Sequence, residues 1–175
     1  MKIGVLSDTH LNFKRNSDAE NQYSHLLKVI RYYFQDVDHI IHAGDVLIED
    51  FIKDLEKIAP TSVVRGNMDN VKKWPLKLSL NFKKVSIVVA HSPEVYFQLE
   101  EKPRVFIHGH THYPRIQETQ DRCLILNPGS LTQPRPSPYL LRNFANDFVP
   151  KPSLAFLEIS EDIVSAYIKK IGKNG

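Results

Sequence analysis

The residues best suited to chemistry fall in six short clusters. These are Asp8-Thr9-His10, Gly44-Asp45, Gly66-Asn67-Met68-Asp69, His91, His108-Gly109-His110-Thr111-His112 and Asn127-Pro128-Gly129-Ser130. The metal-capable side chains among them are Asp8, His10, Asp45, Asn67, His91, His110 and His112. This is a carboxylate, amide and imidazole set without a thiolate, suited to Mn²⁺, Fe²⁺, Zn²⁺, Co²⁺ or Ni²⁺ rather than Ca²⁺. Seven donors are too many for one catalytic ion. With one bridging carboxylate they serve two ions about 3.5–4 Å apart, the spacing used for in-line displacement at phosphorus. Cys123 is the only cysteine, which excludes an intrachain disulfide and a cysteine-based zinc cluster and suits a reducing compartment.

Each cluster follows a short apolar or β-branched run, at 3–6, 37–43, 61–65, 85–90, 104–107 and 123–126; two more runs lie at 154–159 and 163–168. Their length and their Gly, Pro, Asn or Asp boundaries predict strands. Between the early runs, residues 20–34 place Tyr23, Leu26, Leu27, Ile30 and Phe34 at helical spacing. Residues 48–58 do the same with Phe51, Ile52, Leu55 and Ile58. The first third therefore reads β-α-β-α-β, which predicts parallel strands covered by helices. After Trp74 the helical pattern fades, so a second sheet, antiparallel in part, is expected to pack on the first. Ligands of such sheets sit beyond the carboxyl ends of the strands, so all six clusters are expected to meet at one site.

The composition bounds the rest. The chain has 175 residues, 42% hydrophobic and 25% charged, enough for a real core, and one domain over 1–175 is the expectation. No apolar run approaches the ~20 residues of a membrane span, and no secretory signal is legible at the start, so a cytoplasmic location is expected. The net charge of +3 comes from scattered lysines and arginines, which leans toward a small anionic substrate and against a nucleic-acid surface. The proline-dense stretch 132–152 is expected to be irregular.

The ordered set Asp-x-His, Gly-Asp, Gly-Asn-x-Asp, a strand-ending His and Gly-His-x-His resembles the calcineurin-like metallophosphoesterase superfamily. The stretch NPGSLTQPR, Asn127 to Arg135, resembles its small single-domain prokaryotic phosphodiesterase branch. The resemblance covers about residues 1–160. It implies an α/β fold, a four-layer α-β-β-α sandwich of two mixed sheets flanked by helices. It further implies that Asp8, His10, Asp45 and His112 hold one metal while Asp45, Asn67, His91 and His110 hold the other, with Asp45 bridging. The implied activity is that of a binuclear metal-dependent phosphoesterase, most simply a phosphodiesterase. It would hydrolyse a small phosphate ester through a hydroxide bridging two divalent ions, manganese first among the candidates. Two readings stand beside it: a protein-binding scaffold that keeps the fold, as the retromer subunit resembling this family does, and a nuclease of the same superfamily. A homo-oligomer is left open.

Two positions depart from the superfamily pattern. Histidine often follows the asparagine as a proton donor to the leaving group, and here the residue is Met68, whose simplest role is packing with the pocket border as the alternative. The motif at His91 is usually followed by glycine and a further histidine, whereas here it reads HSPEV. Asp69 reads as a turn residue that orients its loop or a ligand, His42 and His108 as structural, and His25 and His39 as solvated or core-edge. For Asn127, Ser130 and Arg135, phosphate contact and capping of the strand-end turn weigh equally. Tyr139, Leu140, Leu141, Phe144 and Phe148 are expected to cover the pocket edge or a second subunit.

Overall fold

Strand β1 (Lys2–Leu6) is buried on both faces, and the two faces meet different partners. Ile3 and Val5 point into a core shared with the second sheet, while Leu6 joins a core shared with the helices. Gly4 also faces the helices, where a Cβ would lie 2.7 Å from the Phe34 ring. The structure, a computed structural model, describes residues 1–11, 19–136 and 149–172.

In the first sheet β1 pairs in parallel with β2 (His39–His42), and β2 with β3 (Thr61–Val63). The crossovers carry α1 (Ala19–Phe34) and α2 (Glu49–Glu56). Leu26, Leu27, Ile30 and Phe34 of α1 and Phe51, Ile52 and Leu55 of α2 are buried, as the spacing predicts. The second sheet has the order β4 (Lys77–Phe82), β5 (Val85–Ala90), β6 (Val105–Ile107), β8 (Leu124–Asn127), β7 (Arg115–Glu118). Its central strands β5, β6 and β8 run parallel, and β4 and β7 close its edges antiparallel. Ile87, Val89, Val105, Ile107 and Leu126 pack on Ile3, Val5 and Ile41, so the two mixed sheets stack face to face.

Three features differ from the expectation. Strands β9 (Ser153–Ser160) and β10 (Ile163–Lys170) belong to the first sheet, because β9 pairs antiparallel with β1 in the register Gly4↔Phe156. Strands β4 and β7 lie outside the predicted runs. The helical layer over the second sheet is thin among the described residues. It consists of the single turn α3 (Val95–Gln98), whose Tyr96 packs on Phe106, Ala90 and Cys123. The apolar cover expected of Tyr139, Leu140, Leu141, Phe144 and Phe148 lies outside the described residues. No helix among those described is long and apolar enough to cross a membrane.

The architecture explains where the polar clusters go. The six parallel strands, β1, β2 and β3 in one sheet and β5, β6 and β8 in the other, are the six that end in a cluster. The strands are largely apolar where they are covered, so most of the polar side chains of the clusters lie in the loops just past the carboxyl ends, with His42 the buried exception inside β2.

Candidate metal centre

Backbone conformation marks the site before any side chain is considered. Asp8 (φ 52°), His10 (43°), Asp45 (57°), His110 (68°) and His112 (58°) all occupy the left-handed region. Only a few per cent of non-glycine residues do so, and the cost persists only where surrounding structure enforces it. Here cross-links between loops enforce it. Asp8 N donates to Gly44 O and His10 N to Asp45 O, both at 3.0 Å, tying the loop after β1 to the loop after β2. Ser130 Oγ donates to Asp8 O at 2.7 Å, and Thr132 Oγ1 donates to Thr9 O at 2.9 Å. Two glycines allow the loops to close up. A Cβ on Gly66 would sit 2.1 Å from Asp45 Oδ1, and one on Gly109 would sit 1.8 Å from Ser7 Oγ and 2.7 Å from Asp8 Oδ2.

The side chains so placed form two overlapping groups. Asp8, His10 and His112 make one: His10 Nε2 and His112 Nε2 are 3.1 Å apart, and Asp8 Oδ1 is 3.4 Å from His112 Nε2 and 3.8 Å from His10 Nε2. Asp8, Asp45 and His91 make the other, with His91 Nε2 at 3.3 Å from Asp45 Oδ2 and 4.0 Å from Asp8 Oδ1. Asn67 Oδ1 extends the second group, 3.1 Å from His91 Nε2 and 3.0 Å from His110 Nδ1. Asp45 Oδ2 is 3.6 Å from His10 Nε2 as well, so this carboxylate faces both groups. Asp8 does too, which the division implied by the resemblance did not include.

Neighbouring groups fix the orientation of these donors. His91 Nδ1 donates to Ala43 O and His112 Nδ1 to Gln133 O, each at 2.8 Å, which turns both Nε2 atoms toward the cluster. Ser7 Oγ donates to Asp8 Oδ2 at 2.7 Å, and Met68 N donates to Asp45 Oδ1 at 2.8 Å. The carboxylate of Asp69 accepts from the backbone N–H groups of Asp45, Val46, Leu47 and Gly66 at 2.8–2.9 Å. Asp69 therefore clamps the loops after β2 and β3 together, more than a turn residue would.

Burial and the neighbouring charges set the protonation of these donors. Burial pushes the Asp8 carboxyl up to about 7, against the opposing pull of His91 and the Ser7 hydroxyl. Burial also pushes Asp45 upward, but hydrogen bonds from His91 and from Met68 N–H outweigh it and hold Asp45 below the usual carboxylate range. Burial holds His10 and His112 below the usual imidazole value, which keeps them neutral and free to ligate. His91 is raised, because Asp45 and Asp8 outweigh its burial. Oxygen and imidazole donors crowded to 3–4 Å are the donor set of a divalent cation.

The cluster floors a cleft of about 690 Å³. His10, Asp45, Asn67, His110 and His112 reach it, whereas Asp8 and His91 are buried beneath. Met68 is 49% exposed and lines the cleft, so it borders the pocket instead of packing. Arg135 lines it too, together with Gln22, Asn70 and Gln133, which carried no sequence signal of their own. Asn127 and Ser130 are fully buried and serve as braces: Asn127 Nδ2 donates to Gly109 O at 3.0 Å and Thr111 Oγ1 at 2.9 Å. His108 donates through Nδ1 to Gly109 O, and burial lowers it to about 4. His42 is fully buried, 3.1 Å from Thr9 Oγ1. His39 is 2.9 Å from Ser62 Oγ, and His25 lies exposed on α1. After His91 the chain turns directly into α3, so the unusual HSPEV sequence leaves the ring on the cluster.

Comparison with known proteins agrees with this geometry. A probable metallophosphoesterase from Methanothermobacter thermautotrophicus is 36% identical over 157 residues, 81% of this chain and 86% of that protein. A phosphodiesterase from Methanocaldococcus jannaschii is 27% identical over 150 residues, 74% of this chain and 83% of that protein. The crystal structure of Vps29 from Entamoeba histolytica complexed with Zn²⁺ has the same fold, with a TM-score of 0.71 at 20% identity over 100% of this chain and 95% of that one. The profile of the calcineurin-like phosphoesterase superfamily domain matches residues 1–145, and with that match, the relative at 36% identity and the cluster of metal-capable side chains, this chain belongs to the calcineurin-like phosphoesterase superfamily.

Proposed function

We propose that the protein is a two-metal phosphodiesterase in which Asp8, His10, Asp45 and His112 hold one divalent ion and Asp45, Asn67, His91 and His110 hold the other. The observation that carries this reading is that Asp8, His10, Asp45, His91 and His112 fall in two overlapping groups, with Asp45 Oδ2 within 3.6 Å of a histidine nitrogen in each and with Asn67 and His110 adjoining the second through His91. When bound, such ions polarise a phosphate ester and lower the pKa of water enough to supply hydroxide near neutrality. The chain's own contribution is placement. The carbonyls of Ala43 and Gln133 hold His91 and His112 in the ligating tautomer, and Asp69 holds Asp45 against Gly66. Arg135 at the cleft rim adds a cation where an anionic ester enters. Preference for a diester is supported by the relative that is named a phosphodiesterase and by Met68, which offers no proton to a poor leaving group.

The test is metal content by elemental analysis together with turnover of bis-p-nitrophenyl phosphate and p-nitrophenyl phosphate. Two equivalents of a transition metal, manganese first among the candidates, and faster turnover of the diester are expected. Asp45→Ala should still fold, lose at least one equivalent of metal and lose nearly all activity. Full activity with both metals retained would refute the bridging role. A protein-binding scaffold is the second reading, because Vps29 shares the fold. It requires that the purified protein turn over neither ester, even when loaded with metal.

A further inference from the structure

Arg135 stands between two cavities. It lines the reaction cleft and also a neighbouring cavity of about 290 Å³. The cations of that second cavity are Arg135, Lys151 and Lys170, and its wall includes Tyr113, Pro114 and Pro150. No carboxylate among the described residues lines it. The cavity lies where edge strand β10 of the first sheet meets edge strand β7 of the second. Lys170 ends β10 in register with Ser153, and Lys151 stands two residues before Ser153. The rim shared with the reaction cleft is fixed by two bonds. His112 Nδ1 donates to Gln133 O at 2.8 Å, and Arg135 N donates to His112 O at 3.1 Å.

Three cationic residues border this otherwise apolar space and no acid lines it among the described residues, an arrangement that favours an anion over a cation. A terminal phosphate carries about −1.5 to −2 charges at pH 7, a match for one guanidinium fork and two ammonium groups. The space equals roughly ten waters at ~30 Å³ each, enough for a phosphate and the carbons that bear it. Tyr113 and the two prolines offer those carbons an apolar wall.

We propose that this cavity receives a second, non-reacting phosphomonoester group of the substrate, so that the preferred substrates are phosphodiesters bearing a further terminal phosphate. The diester lies at the metal-ligand cluster, and the terminal phosphate is held by Arg135, Lys151 and Lys170. The inference rests on the phosphodiesterase reading above.

Thymidine 5′-(p-nitrophenyl phosphate) with and without a 3′-phosphate gives a matched pair with one leaving group. The readout is the ratio of kcat/KM, phosphorylated over unphosphorylated, in the metal-loaded protein and in Lys151→Gln/Lys170→Gln. An exposed ion contact contributes up to about fivefold, so the ratio should be at least about tenfold in the unmodified protein and several-fold smaller in the variant, which keeps Arg135. It should also shrink as ionic strength rises. An equal ratio in the two proteins overturns the proposal. A second arm measures binding of thymidine 3′,5′-bisphosphate, thymidine 5′-phosphate and inorganic phosphate to the metal-loaded protein by calorimetry. The bisphosphate should bind tightest, and the variant should lose that advantage. If inorganic phosphate binds as well as the bisphosphate, the cavity is a free-anion site and the proposal fails. If neither ester is hydrolysed, the phosphodiesterase reading falls, and the calorimetric arm still decides whether the cavity takes the second phosphate.

Discussion

Asp69 shows how a side chain that need not ligate can decide whether ligands are in place. Its two oxygens accept four backbone N–H groups from residues 45, 46, 47 and 66, and all four would be left without that partner in Asp69→Ala. Stranding buried donors costs about 1–3 kcal/mol apiece before water or the chain relaxes to meet them, so a loss of about 3 kcal/mol in urea unfolding is expected. Metal occupancy should fall with it, because Asp45 moves with its loop, whereas intact metal content in the variant would show that the loops hold without the clamp. That these side chains would meet was legible in the sequence, since each cluster follows an apolar run and parallel strands end on the same edge. The bracing was not. Asn127 and Ser130 read equally well as phosphate contacts, and only the fold shows them buried against Gly109 and Asp8. Met68 makes the sharper prediction at this scale. Its side chain lines the cleft and cannot donate a proton, and a positioned general acid is worth typically 10²–10⁴-fold. The rate over a series of phosphodiesters should therefore fall steeply as leaving-group pKa rises, and Met68→His should flatten the slope. His25, the other histidine considered for the role, is exposed and does not line the cleft. A slope that is already flat in the unmodified protein would place a different acid in the cleft.

Elements were readable where burial dictated composition and unreadable where pairing alone did. Most of the cluster-bearing strands are apolar because they are largely covered, β3 being half-buried, and the sequence showed all six. In β4, Leu78, Leu80 and Phe82 alternate with exposed Lys77, Ser79 and Asn81, so only one face carries a signal. In β7 all four residues are exposed, and the strand exists through its register with β8, Arg115↔Asn127 to Glu118↔Leu124. The return of β9 to β1 is likewise a long-range pairing with no local signature. Gly4 is the element-scale counterpart of Asp69. It lets the Phe34 ring of α1 lie flat on β1, and a methyl group there would come within 2.7–2.8 Å of three ring carbons. Overpacking of this kind costs about 1–3 kcal/mol. Gly4→Ala should be destabilised by that amount in urea, and Phe34→Leu should absorb part of the loss, giving a favourable coupling in a double-mutant cycle. Strict additivity of the two substitutions would mean that α1 moves as a body to clear the methyl group.

At the scale of the whole molecule the site is a meeting of two sheets, and several of the imidazoles around it lie in places that disfavour charge. Burial lowers His42 to about 3 and His108 to about 4, and it also holds His10 and His112 down. A histidine whose folded value lies below its unfolded value contributes stability that is present above pH 6.5 and is lost as pH falls toward the folded value. Asp8, raised to about 7, works the other way, because the folded chain takes up a proton there that the unfolded chain releases down to about pH 4. Near pH 5 the unfolded state holds about one extra proton at each of His42 and His108 and further fractions at His10 and His112, against one extra at Asp8 in the folded state. The balance favours unfolding, so stability should fall on acidification from pH 6.5 to 4.5. His91, which is raised as well, opposes the fall only in its upper part, because by pH 5 it is protonated in both states. In the proposed two-metal site, ligation would require Asp8 ionised and His91 neutral, so metal should remove both opposing contributions and steepen the fall. His42 is the cleanest handle on this, being fully buried, in edge contact with Phe51 and without a partner for Nδ1 among the described residues. Each proton taken up on unfolding contributes about 1.4 kcal/mol per pH unit to the slope. His42→Leu should lower the slope of urea-unfolding free energy against pH by about that amount in EDTA-treated protein, whatever it does to stability at neutral pH. An unchanged slope would mean that water reaches His42 in the folded state and that its burial does not set the acid limit of the fold.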